Sequence, residues 1–275
     1  AEHLAIQAYR DNKKVLWVTN SVRRCQQKAL RLRSTLGHKA NLLCYHSRFR
    51  LCDRRDRHGE VVQGFRRGLT NPVIAVTTQV CEMSLDLDTD VLITEIAPVP
   101  SLIQRMGRCC REPIPSSDRE GKVFVYAPVD HKPYEKQEMA EGTAFVEALV
   151  RQQRRLTHAD LGDYLANMDV LDPFIEGAFN GFLDGGPYAM SSEEAFRDGE
   201  DFTVDCVLDD DIEAFLVARR SDNPMADGLI IPVPKRFARE NSRLGRYLRA
   251  ASAAQYNPRF GFLDPEEVAC ARSDN

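Results

Sequence analysis

Three arginines stand in the run Gln104-Arg105-Met106-Gly107-Arg108-Cys109-Cys110-Arg111. A guanidinium stays charged at any physiological pH and meets a phosphate with two parallel N–H donors. The run therefore suits the terminal phosphate of a nucleotide, where an arginine stabilises the charge that develops in phosphoryl transfer. Taken alone, it fits a salt-bridged helix at an interface equally well. Upstream, Thr77-Thr78-Gln79-Val80-Cys81-Glu82-Met83-Ser84-Leu85-Asp86 offers hydroxyls and backbone N–H groups to a phosphate. Asp86, expected at a buried edge, is placed to accept a ribose hydroxyl. Two further polar stretches are Tyr45-His46-Ser47-Arg48-Phe49 and Thr19-Asn20-Ser21. His46 alone reads as a satisfied loop histidine. Tyr45 and Phe49 either stack a base or pack beneath their loop.

These residues need a scaffold. Short runs rich in β-formers at 15–19, 40–45, 73–77, 91–94 and 123–126 alternate with helical patterns. Ser21 caps one helix, Val22, Cys25, Ala29, Leu32 and Leu36 form its stripe, and Gly37 ends it. Val61, Val62, Phe65 and Leu69 form another stripe. Such alternation predicts an α/β fold with a doubly wound, mainly parallel sheet. Ligands on these sheets sit at the carboxyl ends of the strands, where all four polar motifs are expected. Beyond Pro128, helices are predicted at 134–156 and 159–168, and strands at 202–208, 212–217 and 228–233. The expected organisation is a first domain over 1–129, a helical linker over 130–180 and a small α+β domain over 181–275.

Composition excludes several classes. With 43% hydrophobic residues in 275, the chain can bury one large or two modest cores, so whole-chain disorder is ruled out. No apolar run approaches the ~20 residues of a membrane span, and no secretory signal is visible. Eight cysteines without a C-x-x-C pair suggest scattered thiols in a reducing compartment, with cytoplasm the default, and no metal site. Net charge is −4, but residues 23–67 carry thirteen Lys/Arg against three acids, and residues 184–213 carry eleven acids against one arginine. A basic face can neutralise phosphates; it can equally be a solvated surface, and the acidic stretch reads as a solvated linker.

Together the motifs resemble the second RecA-like domain of a superfamily-two helicase. Thr19-Asn20-Ser21 resembles that family's motif IV, the run from Thr77 to Asp86 its motif V, and the run from Gln104 to Arg111 its motif VI. The T-Q-V-x-E-x-S-L-D-L-D wording, with H-S-R-F before it, resembles the CRISPR-associated type I helicase–nuclease family over residues 15–127. The resemblance implies arginine fingers at Arg108 and Arg111 and a contact of Gln104 with the γ-phosphate or attacking water. It also implies nucleotide contacts at Asp86, Ser84 and Arg105, and single-stranded DNA at Thr19, Asn20, Ser21, His46, Ser47, Arg48, Thr77, Thr78 and Gln79. Cys109-Cys110 departs from the pattern, which usually has a bulkier or polar residue there. Small buried filler is the expected role, with oxidation sensitivity the alternative.

No G-x-x-x-x-G-K-[ST] or D-E-x-[DH] motif occurs, and no H-D pair with metal-ligand spacing. ATP and magnesium are therefore expected to be held mainly by another domain, which the resemblance implies is a first RecA-like domain. The resemblance further implies single-stranded DNA, an HD-type nuclease domain and a guide-RNA effector complex as partners. The chain, opening on Ala1 inside a predicted helix, reads as a piece of something longer and as silent by itself. Alternatives are a lobe of an RNA or DNA-repair helicase, or a non-catalytic nucleic-acid or partner-binding module of the same fold.

Overall fold

Lys14–Val18 (β1) and Val73–Thr77 (β3) are buried at every position, as strands covered on both faces must be. Leu42–Tyr45 (β2), Val91–Glu95 (β4) and Lys122–Tyr126 (β5) join them. In the computed structural model, which describes residues 1–66, 68, 71–82, 86–111, 119–167, 202–221 and 223–272, the order is β2-β3-β1-β4-β5. All four pairings are parallel. Parallel neighbours require crossovers. Val22–Leu36 (α2), Leu51–Gly64 (α3) and Val99–Met106 (α4) provide them, after an opening helix at Glu2–Arg10 (α1). The α/β, doubly wound architecture expected from the sequence is the one observed.

Alternation along β1 divides the core. Leu16 and Val18 join Val61 and Phe65 at the end of α3 and Leu102 and Met106 of α4, whereas Val15 and Trp17 join Ala5 of α1 and Cys25, Ala29 and Leu32 of α2. Two further helices, Lys136–Arg151 (α5) and His158–Asn167 (α6), add Leu149 and Leu161 to the first cluster. The helices expected as a linker thus pack against α4. Trp17 is fully buried, and its indole N–H donates to the Tyr126 hydroxyl at 2.9 Å.

Thr203–Leu208 (β6) begins a smaller unit. The segment expected as a strand at 212–217 is instead helical, Ile212–Arg220 (α7). Three aspartates at 209–211 favour a helix start, and Ile212, Phe215 and Leu216 repeat at helical spacing on the buried side. A short turn of helix, Met225–Gly228 (α8), leads into Ile230–Pro234 (β7). β6 pairs antiparallel with β7 and parallel with Arg249–Ala251 (β8). The hairpin Tyr256–Asn257 (β9) and Gly261–Phe262 (β10), then Pro265–Arg272 (α9), return to the larger unit. There Phe260, Leu263 and Ala271 pack with α1 and α2. Ser84, Leu69 and most of the acidic stretch lie outside the described residues. No helix among the described residues is long and apolar enough to cross a membrane.

Candidate nucleotide and nucleic-acid site

α4 leaves the carboxyl end of β4 and runs back along the sheet, burying Leu102, Ile103 and Met106. An eight-residue helix is about 12 Å long, enough to return the chain toward the start of the next strand. Past its end, the Thr89 N–H donates to the Arg108 carbonyl at 3.0 Å and the Cys110 N–H to the Thr89 carbonyl at 2.9 Å. Thr89 precedes β4, so the backbone of Arg108 and its neighbours stands at the amino edge of the sheet, while the Arg108 guanidinium reaches back to the Glu82 carbonyl beyond β3. The expectation that all four motifs share the carboxyl edge is corrected: a crossover helix must carry its last turn to the other side.

The arginines of this run have separate fates. Neighbouring residues on a helix point about 100° apart, and Arg105 points inward. It is fully buried, with Nε donating to Glu82 at 2.7 Å and Nη1 to the side chains of Asn20 and Thr94, each at 3.0 Å. Its Nη2 donates to the Tyr134 hydroxyl at 3.3 Å. Burial opposes its charge, but Glu82, Tyr134 and Cys81 outweigh it and hold the pKa above the usual arginine value. Arg105, expected to touch nucleotide, is a structural strut.

Arg108 is half-buried. Its Nη2 donates to the Glu82 carbonyl, while its Nε is buried without a hydrogen-bond partner. Burial, and then the like charge of Arg111, lower its pKa. Arg111 is 43% exposed at the side chain and donates to Asp86 at 2.6 Å. Asp86 is 87% exposed, not at the buried edge expected; Asp88 is the buried one, and Arg119 bridges it to Asp90. Gln104 is half-buried, four residues before Arg108. Two like-charged guanidiniums, one with an orphaned N–H, gain from an anion placed between them. The residues present fit the terminal phosphate of a nucleotide.

At the carboxyl ends of β1 and β3, Thr19, Asn20, Thr77 and Thr78 are buried. The Asn20 side chain donates to the Ile96 carbonyl at 2.7 Å and accepts from Arg105, while its backbone N–H donates to Glu95 at 2.6 Å. Thr19 Oγ1 donates to the Ser21 carbonyl at 3.1 Å. These four side chains shape the edge and do not face solvent. Ser21, which caps α2 by accepting the Arg24 N–H at 3.3 Å, remains half-buried, as do Ser47 and Gln79. Sequence reasoning missed Glu82, Glu95 and Arg24 as the ties behind this edge; Arg24 donates to Glu95 at 2.9 Å. The signal was present in Glu95, a carboxylate closing an otherwise uncharged strand.

His46 and Arg48 are covered. The His46 Nε2 lies 3.0 Å from the Phe260 carbonyl, and Nδ1 accepts the Arg48 N–H at 3.1 Å. Its ring packs 4.6 Å from Phe49, which is fully buried, and Tyr45 is buried too. The Arg48 carbonyl accepts the Phe262 N–H at 2.8 Å, and Gln26 Nε2 donates to the carbonyls of both Phe260 and Phe262 at 2.8 Å. Gly261 has φ +74, and a Cβ there would meet the Arg48 oxygen at 2.4 Å. The expected DNA contacts of His46 and Arg48 are therefore corrected: these residues form the socket for the strand pair β9–β10.

Comparison with known proteins bears on this arrangement. Residues 11–114 match the family described as CRISPR-associated nuclease/helicase Cas3, C-terminal. A putative CRISPR-associated nuclease/helicase Cas3 of Myxococcus xanthus is 42% identical over 146 residues, covering 53% of this chain and 19% of that protein. The CRISPR-associated nuclease/helicase Cas3 of Streptococcus thermophilus is 30% identical over 171 residues, covering 60% of this chain and 18% of that protein. The match thus spans about a fifth of either relative's length. The crystal structure of T. fusca Cas3-ATP superimposes with a TM-score of 0.56 and 20% identity, over 96% of this chain and 40% of that one, a likeness of fold.

Proposed function

We propose, from the match of residues 11–114 to the family described as CRISPR-associated nuclease/helicase Cas3, C-terminal, that the chain supplies the second motor lobe of an ATP-driven single-stranded DNA translocase of type I CRISPR interference. One observation carries the reading: in the run 104–111, Arg105 is locked into the core while Arg108 and Arg111 are left at one edge beside Asp86. A pure packing helix has no need of that division.

ATP with magnesium, held mainly by a first RecA-like domain across a cleft, would supply the γ-phosphoryl group for transfer to water. Arg108 and Arg111 donate to the phosphate and neutralise its developing charge, a contribution of about 10³–10⁵ in rate for such arginines. Gln104 lies on α4, four residues before Arg108, to orient the phosphate or the attacking water. Asp86, released from Arg111, accepts a ribose hydroxyl. At the carboxyl edge of the sheet, Ser21, Ser47, Gln79 and neighbouring backbone amides hold the strand's phosphates, and Thr19, Asn20, Thr77 and Thr78 fix their geometry. Lacking the phosphate cradle, the chain alone is silent. Its partners are the first RecA-like domain, an HD-type nuclease domain and a guide-RNA effector complex.

The test is ATP hydrolysis with single-stranded DNA, by the chain alone and by the chain joined to a first lobe. Silence alone, turnover when joined, and a loss of about 10³-fold in Arg108→Ala support the reading. Robust turnover by the isolated chain overturns it. No turnover when joined favours the non-catalytic binding module.

A further inference from the structure

Two cysteines stand between the surface arginines, and the proposed motor uses neither. Cys109 is buried, Cys110 is half-buried, and both are free thiols. A Cβ added at Gly121 would lie 2.4 Å from Cys109 Sγ and 3.2 Å from Cys110 Sγ, so both sulfurs converge on the niche that this glycine leaves open. Cys110 has φ +46, a left-handed conformation uncommon for a residue with a side chain. Cys25 and Cys44 offer less: they lie 3.8 Å apart but are buried in the core.

We propose that Cys109 and Cys110 are a reversible redox site, at which a peroxide closes the adjacent thiols into a disulfide and shifts the backbone that carries Arg108 and Arg111. Cys110 is the attacking thiol, because it reaches solvent and because the adjoining Cys109 thiol and the Arg119 charge lower its pKa, against burial. The adjoining Cys110, together with burial, holds Cys109 protonated, and its thiol donates to the carbonyls of Asp90 and Lys122, each at 3.8 Å. The Cys110 thiolate attacks one oxygen of hydrogen peroxide, the O–O bond breaks, and the departing hydroxide takes a proton to become water. The Cys109 sulfur then attacks the Cys110 sulfenic sulfur. The S–S bond forms, the S–O bond breaks, and the Cys109 proton leaves with the hydroxide as a second water. Two thiols are oxidised and one peroxide is reduced.

Geometry makes this a switch and not a staple. Consecutive Cα atoms are ~3.80 Å apart across a trans peptide, below the about 4.4–6.8 Å that disulfides span. The bond is therefore strained, and strained disulfides are the readily reduced ones. The Cys110 N–H bond to Thr89 and the Thr89 N–H bond to Arg108 bracket the Cys109–Cys110 peptide. Ring closure turns that peptide and loosens both.

The test uses the 275-residue chain, treated with hydrogen peroxide, alkylated and mapped by mass. The expected result is loss of two hydrogens from the peptide holding Cys109 and Cys110, protection of both from alkylation, and full reversal by dithiothreitol. In Cys110→Ser, Cys109 stays alkylatable after peroxide, with an unchanged melting temperature showing that the variant folds. Hydrogen exchange at the Cys110 amide is faster in the oxidised chain. Two alkylated cysteines after peroxide, a Cys110 sulfinic acid without a cross-link, or a disulfide formed only between Cys25 and Cys44 would each overturn the site. Unchanged exchange at Cys110 overturns the backbone shift. These readouts stand apart from ATP hydrolysis, so their failure and that of the proposed motor are distinguishable.

Discussion

Glu82 holds two arginines by different atoms: its carboxylate takes Arg105 and its carbonyl takes Arg108. The two substitutions should therefore separate. Arg105→Ala leaves Glu82 and Asn20 without their buried partner and is expected to destabilise the fold by about 3–5 kcal/mol, as breaking buried pairs does. Arg108→Ala removes one bond to a carbonyl and is expected to cost less than about 1.5 kcal/mol. Urea unfolding of the isolated chain measures both. Equal losses would show that Arg108 is a strut like its neighbour. The chemistry of the run, guanidiniums able to meet a phosphate or a carboxylate, was legible from residue types alone. Which arginine turns inward was not, because it depends on what lies behind α4.

At the scale of elements, the β9–β10 hairpin is held to the loop after β2 by the Phe262 N–H bond to the Arg48 carbonyl, and to α2 by the Gln26 clamp. Gly261→Ala puts a methyl group against the Arg48 oxygen and a side chain at φ +74. A loss of about 1–3 kcal/mol is expected, read as a lower melting temperature. Within β6, burial pushes the Asp205 carboxyl above the ordinary aspartate value. A raised carboxyl binds its proton more tightly when folded, so its contribution is fully present below the ordinary pKa and is lost as pH rises through the raised one. Asp205→Asn should accordingly melt higher than the parent at neutral pH and converge with it in acid. A parallel pair of pH–melting curves would refute this. The strands of the parallel sheet could be read from uninterrupted apolar runs, whereas α7 was mistaken for a strand because Ile, Phe and Val suit both periods when a segment is short.

Across the whole molecule, several arginines of the basic block at 23–67 are spent on partners within the chain. Arg24 meets Glu95, Arg33 donates to the carbonyls of Gly37, Ala40 and Leu42, Arg50 meets Asp53 and Asp211, and Arg57 meets Glu60. If the motor holds DNA through few phosphates, log affinity of the joined two-lobe protein for single strands should fall with log salt at about 0.7 per phosphate contacted. Fluorescence anisotropy across a salt series gives the slope, and a slope near zero would remove DNA from the function. What the sequence by itself determined was the α/β class, the strand runs, the helix stripes and the chemical type of the arginine run, because local periodicity and residue chemistry act over a few neighbours. Only the tertiary structure decided that α4 carries the Arg108 backbone to the amino edge, that Asp86 is exposed, and that His46 and Arg48 serve β9–β10. The physical reason is separation along the chain: Phe260 and Phe262 lie more than 200 residues from the Gln26 and His46 side chains that hold them, and no local pattern announces a partner at that distance.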